Sequence, residues 1–136
     1  MILETLRIGF DFGLLVLIWM VQLVIYPSFK YFNRNDLIRW HRVYVQRISY
    51  VVIPLIFGQT LIAIYQLYQT TSVYTAGSVV LILLVWILTF LLFVPRHNAV
   101  SNVRFDQNTL SELVSYNWAR TVLWSIVFIW TAFTHV

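Results

Sequence analysis

Cysteine is missing from this 136-residue chain, glycine occurs only four times and proline three times. Without cysteine there is no disulfide scaffold and no thiolate metal site. Four scattered glycines exclude a glycine loop that cradles phosphate. Charge is scarce as well, with five acidic and nine basic residues making 10% of the chain. A soluble domain is about a quarter charged, so this chain has too few polar groups to clothe a water-facing surface. Apolar residues take their place: 60% of the chain is hydrophobic and 18% aromatic, with a mean hydropathy of +0.79. That composition excludes disorder and predicts one integral membrane domain over 1-136.

The few charges divide the chain. Residues 12–29 carry none, enough to cross a hydrocarbon core that takes roughly 20 helical residues. Residues 48–95 also carry none, which is room for two spans, and the polar string Gln69-Thr70-Thr71-Ser72 is the natural turn between them. After Arg120 no Asp, Glu, Lys or Arg follows, giving a fourth span. The pattern predicts an all-α, integral membrane four-helix bundle with helices at about 5-26, 41-68, 76-103 and 111-134. Barrel strands are excluded because apolar and polar residues do not alternate. Glu4, Asp11 and the lack of a small-x-small site make the N-terminal run a poor signal peptide, so the first helix is expected to stay.

Orientation follows from the basic residues. Lys30, Arg34, Arg39, Arg42 and Arg47 fall in the first connection, residues 27–47, and Arg96 and Arg104 in the third, against none in the second. Such connections stay cytoplasmic, which makes both termini extracytoplasmic in a cell inner (plasma) membrane. The net charge of +4 suits an anionic lipid bilayer as partner. Nucleic acid is excluded as a partner, since no soluble basic face exists. Aromatic and basic residues alternate through the first connection, as in a headgroup anchor or a lid over a pocket.

Polar residues inside spans are costly, so their alignment carries information. Arg7, Asp11, Ile18, Gln22 and Tyr26 share one face of the first helix, with Arg7 and Asp11 neutralising one another near the outer interface. His41, Gln59 and Gln66 share a face of the second, where Pro54 is expected to bend the helix. Glu112, Tyr116, Arg120 and Trp124 recur every four residues on the fourth, beside Asn117. Arg120 lies two turns inside its span, and three roles are open to it: snorkelling, pairing with Glu112, or meeting a ligand oxygen. The topology lets His41, Gln46, Arg47, His97, Asn98, Asn102, Glu112, Asn117 and Arg120 converge at the cytoplasmic boundary with Gln22 and Tyr26, as one polar pocket.

Two histidines from different helices at one depth are candidate axial ligands for haem, or part of a mononuclear metal site. A neutral histidine is equally a general base. His97 is also placed to cap its helix end.

The runs Pro95-Arg96-His97-Asn98 and Asn117-Trp118-Ala119-Arg120-Thr121-Val122-Leu123-Trp124 resemble the small four-helix membrane proteins grouped with anthrone oxygenases. Tyr26-Pro27 and the His41 region fit the same pattern loosely. The resemblance spans most of the chain in architecture and about ten residues in particular. It implies a lipophilic aromatic substrate and oxidation without a metal. A second likeness runs to small haem-binding membrane proteins of protoporphyrinogen oxidation, whose early helix-one histidine this chain lacks.

The reading is a cytoplasmic-side pocket for a lipophilic aromatic or quinone-like small molecule, with oxidoreductase chemistry. His41, His97 and Arg120 are its catalytic candidates, while Gln22, Tyr26, Asn98, Asn117, Trp124 and Glu112 are its ligand-binding candidates. Haem on His41 and His97 is one alternative. A non-catalytic membrane subunit or scaffold is another, and a homo-oligomer is compatible with each.

Overall fold

The computed structural model describes residues 1–135. Four helices fill it: α1 Ile2–Tyr31, α2 Arg34–Gln69, α3 Val73–Ser101 and α4 Gln107–His135. The first three are long and apolar enough to cross a membrane by length and composition. In such a solvent each backbone polar group must be satisfied within its own helix, which is why runs this apolar take this form. Large apolar side chains also cover the outside, among them Leu23, Leu61, Leu91 and Phe133, far more than a water-facing surface tolerates.

The helices run longer than their apolar stretches predict, because the polar flanks are helical too. The clearest correction is the first connection. Residues 27–31 complete α1 and α2 begins at Arg34, so only Phe32 and Asn33 lie between helices, and no segment is left to act as a lid. Phe29, Leu37 and Ile38 turn inward and are buried in the core, while Tyr31, Phe32 and Trp40 stay exposed. Pro54 sits within α2, which is helical on both sides of it.

The starts of α2, α3 and α4 each have a side-chain cap. Asn33 accepts the Asp36 amide (2.9 Å), Ser72 and Thr75 form a reciprocal capping box, and Asp106 accepts the Thr109 amide (2.9 Å). The bond from the Thr109 backbone, with help from its hydroxyl, holds the Asp106 carboxyl below its ordinary range. At the end of α3 the Arg104 amide donates to the Ala99 carbonyl (2.8 Å) and the Val103 amide to Val100 (3.2 Å), with Val103 in the left-handed region at φ 64°. That is a Schellman ending built on valine instead of glycine. Arg42 donates twice to the Ser101 carbonyl, and Arg34 donates to the carbonyls of Val103 and Phe105. Arg42, not His97, caps the last turn, and Arg34 ties down the connection that follows it.

The helices form a ring in which α1 packs on α2 and α4, and α3 on α2 and α4. Close approach needs small residues at the crossings: a Cβ at Gly58 would strike the Phe10 ring, and one at Gly77 the Trp130 ring. Both chain ends and the α2–α3 turn lie at one end, where His135 sits 3.9 Å from Glu4. The other end carries the two basic connections and is called the loop end below. Two π-helical turns, Val21–Ile25 in α1 and Thr89–Phe93 in α3, interrupt the regular spacing.

Candidate functional site

Both π turns border one cavity. It has a volume of about 520 Å³ and takes lining from all four helices, including Val21, Tyr26, Tyr44, Phe93, His97 and Arg120. Such turns insert a residue and redirect the side chains after them, and they recur at functional sites. Most of the wall is aliphatic or aromatic, and the polar groups gather toward the loop end. Between α2 and α3 the cavity reaches the outer surface beside Ile53, Phe57, Phe90 and Val94, which are 52, 51, 59 and 39% exposed.

Arg120 is the charge at this wall. Its Nε and Nη2 donate to the Asn117 side-chain oxygen at 3.0 and 2.7 Å, and Nη2 donates to the Tyr26 hydroxyl at 3.1 Å. Its Cζ lies 3.4 Å from the centre of the Phe93 ring, a cation–π contact. Asn117 is itself held, donating to Gln22 (3.0 Å), which also accepts from Thr121 and donates to the Val114 carbonyl. Every one of these partners is neutral. Among the described residues no carboxylate pairs with Arg120, although the residue is only 8% exposed.

From Tyr26 the polar contacts run on through the histidines. The Tyr26 hydroxyl lies 2.8 Å from His97 Nε2, His97 Nδ1 lies 2.8 Å from His41 Nε2, and His41 Nδ1 lies 3.1 Å from Ser101 Oγ. The two imidazoles stack with centroids 5.1 Å apart and an interplanar angle of 25°. Phe29 and Tyr44 close around them.

This geometry separates the sequence candidates. Tyr26, His97, Asn98, Arg120 and Trp124 line the cavity. His41, Gln22 and Asn117 lie behind that wall, fully buried, and reach it only through His97 or Arg120. Glu112 is outside the group. It pairs with Arg96 at 2.8 Å and its side chain is 42% exposed. Gln46, Arg47 and Asn102 are also exposed. The stripe at steps of four on α4 is corrected accordingly, since such a stripe turns about 40° per step off a helix of 3.6 residues per turn. The inward face is instead Leu110, Leu113, Asn117, Arg120, Thr121, Trp124, Val127 and Thr131. Sequence reading missed Ser101, Thr121 and Thr89 as members of the network. Their hydroxyls carry no periodic signal that separates them from the serines and threonines bonding only their own helix.

The histidine pair does not fit haem or a single metal ion. All four ring nitrogens already face a partner, and the two that face one another are 2.8 Å apart. Nitrogens on opposite sides of one metal stand about 4 Å apart, twice a bond of about 2 Å. Among the described residues no three His, Cys, Asp or Glu side chains converge.

A second polar cluster lies at the terminal end. Arg7 and Asp11, both fully buried, pair at 2.9 Å, and Asp11 accepts further from Gln59 (2.7 Å) and Thr131 (2.6 Å). Arg7 donates to Gln66 (3.0 Å), and Thr131 meets the Tyr74 hydroxyl. The sequence suggested an interfacial pair, whereas the structure buries it among three other helices. Trp124 touches both regions, lining the cavity and donating to Gln59 at 3.1 Å.

Comparison with known protein families, curated proteins and solved structures finds no match to this chain.

Proposed function

We propose that this chain is a multi-pass inner-membrane protein that binds a lipophilic aromatic or quinone-like molecule in the loop-end cavity. One observation carries the reading: Arg120 is buried at the cavity wall with only neutral partners. A buried charge without a counter-charge is costly, and a ligand oxygen that is anionic or strongly polarised supplies what the protein withholds. The apolar lining suits fused rings, and the single polar corner of Tyr26, His97 and Arg120 suits one carbonyl or phenolic oxygen.

In that corner Arg120 stabilises negative charge on the oxygen, and the Tyr26 hydroxyl, bonded to His97, is placed to exchange a proton. The resemblance to anthrone oxygenases gives the chemistry a direction. Loss of a proton from a phenol or from an acidic ring carbon leaves an electron-rich anion, which dioxygen can oxidise.

The test is titration of detergent-purified protein with a hydroxyanthraquinone, followed by absorbance, and then oxygen uptake with the corresponding hydroxyanthrone. Saturable binding lost in Arg120→Gln is the expected result. If neither compound binds and a co-purifying protein stabilises the bundle instead, the reading as a non-catalytic membrane subunit replaces this one. Sidedness has its own check. An impermeant thiol reagent on intact cells is expected to label Ser72→Cys and not Asn35→Cys, and the reverse pattern would move the cavity to the outer leaflet.

A further inference from the structure

The contacts from Tyr26 to Ser101 have a property that no single residue in them has. Each imidazole uses both nitrogens, and each neighbour in the series is able both to give and to accept a proton. Neutral histidine has one N–H and one lone pair, so fixing one bond fixes all the others. If the Tyr26 hydroxyl donates to His97 Nε2, then His97 Nδ1–H donates to His41 Nε2, and His41 Nδ1–H donates to Ser101 Oγ. Reversing the first bond reverses each of the rest. Two arrangements satisfy the series, and they differ in which way the protons point.

We infer that Tyr26, His97, His41 and Ser101 form a proton wire that carries the proton of a bound phenolic ligand from the cavity to the loop end. The inference rests on the ligand reading above for the source of the proton. The ligand O–H proton passes to the Tyr26 oxygen as the tyrosine proton passes to His97 Nε2. The His97 Nδ1 proton passes to His41 Nε2, the His41 Nδ1 proton to Ser101 Oγ, and the serine proton to water at the loop end. One proton enters, one leaves, and the ligand remains as a phenolate facing Arg120. The wire returns to its first arrangement once the cavity empties. One proton then enters from water at the loop end and passes through Ser101, His41 and His97 to the Tyr26 oxygen, and the tyrosine gives one proton up to the cavity.

Three features support a path over an isolated pair. The fixed end is polarised, because Arg120 donates to the Tyr26 oxygen at 3.1 Å and leaves the tyrosine proton to point at His97. The middle is kept dry at His41, which is fully buried with Phe29 packed edge-on and Tyr44 tilted against it. The far end reaches the polar surface, where Ser101 is partly exposed in the last turn of α3 and Arg42 holds its carbonyl. In this arrangement Tyr26 touches the ligand, whereas His41 and Ser101 act only through the groups before them.

The test has one arm without ligand and one with it. In protein labelled with ¹⁵N-histidine, scalar coupling across the hydrogen bond between His41 Nε2 and His97 Nδ1 is expected, with exchange between the two tautomers. Only three histidines are present, so assignment is direct. Absence of that coupling overturns the wire whatever the ligand does. In the second arm a hydroxyanthraquinone is mixed rapidly with protein and phenolate formation is followed by absorbance. Tyr26→Phe is expected to bind and not ionise the ligand, and Ser101→Ala to ionise it about 100-fold more slowly. The wild-type rate should depend on deuterium fraction along a curve, as several moving protons require. Ser101→Ala at the full rate with the same curve overturns the wire. Failure of the quinone to bind counts against the ligand reading alone, and the coupling then decides the wire.

Discussion

Arg7 and Arg120 are buried in the same bundle by the same kind of helix, yet they are handled in opposite ways. Arg7 meets Asp11 at 2.9 Å, and that carboxylate collects Gln59 and Thr131 as well. The charge is cancelled on the spot and the space around it is filled by side chains from the other three helices. Arg120 is surrounded by an amide, a phenol and an aromatic face, and a cavity adjoins it. A polar residue buried in an apolar bundle does not by itself mark a site. The distinction lies in whether the protein completes the charge balance, and at the loop end it does not.

The largest effect that can break this contrast comes from removing the completion. Asp11→Asn leaves Arg7 buried without its counter-charge, a change that costs about 3–5 kcal/mol. The expected outcome is a large drop in the unfolding midpoint in detergent, or loss of accumulation in the membrane. Stability equal to the wild type would mean that Arg7 leaves the bundle for the interface, and that the two arginines are less different than their surroundings suggest.

A smaller effect, and on a different quantity, follows at the loop end. Arg120→Lys keeps the charge but loses the fork that serves Asn117 and Tyr26 together. Accumulation is expected to be retained, with ligand binding weakened by about 1.5–3 kcal/mol, the worth of a hydrogen bond to a charged group. Binding titrations beside an unfolding curve separate the two quantities. A lysine variant that binds normally would reduce Arg120 to a snorkelling residue. Collapse of the fold would return it to the structural role that Arg7 holds.

How much of this contrast the sequence carried depends on the kind of signal. The four helices were legible because few charges interrupt their apolar runs, although among the described residues only the first three are long and apolar enough to cross a membrane. The face shared by Arg7, Asp11, Gln22 and Tyr26 was legible because helical repeat puts them in line. The antiparallel turn near Gln69–Ser72 put His41 and His97 at one depth, which is as far as spacing reaches. Whether two side chains at one depth meet is decided by the π turns and by rotation of each helix, and neither leaves a mark in composition. The same limit explains Glu112. Eight residues separate it from Arg120, which spacing alone reads as a pair. The chain instead brings Arg96 across from α3 to take it. Spacing puts the Arg7–Asp11 pair near the interface, because a shared face for Gln59 and Gln66 does not show that Gln59 and Thr131 close on Asp11 and Gln66 on Arg7.

The smallest expected effect sharpens the contrast at the level of backbone. The two ends of α3 are built differently. At the terminal end Ser72 and Thr75 cap it in relaxed extended and helical conformations. At the loop end Val103, a β-branched residue, is held at φ 64° and is 44% exposed. A left-handed residue other than glycine costs roughly 1–2 kcal/mol, and the Schellman bonds together with Arg34 hold it there. Val103→Gly removes that strain and also makes the unfolded chain more flexible, a loss of about 0.4–1 kcal/mol. The net expectation is a gain of below about 1 kcal/mol, read as a small rise in unfolding midpoint, with ligand binding unchanged because Val103 touches neither the cavity nor the histidines. A fall in stability would show that the valine side chain packs more than it strains. A change in binding would show that the ending of α3 sets the position of Ser101 and His97, and would tie the loop-end site to its backbone as closely as the terminal cluster is tied to its salt bridge.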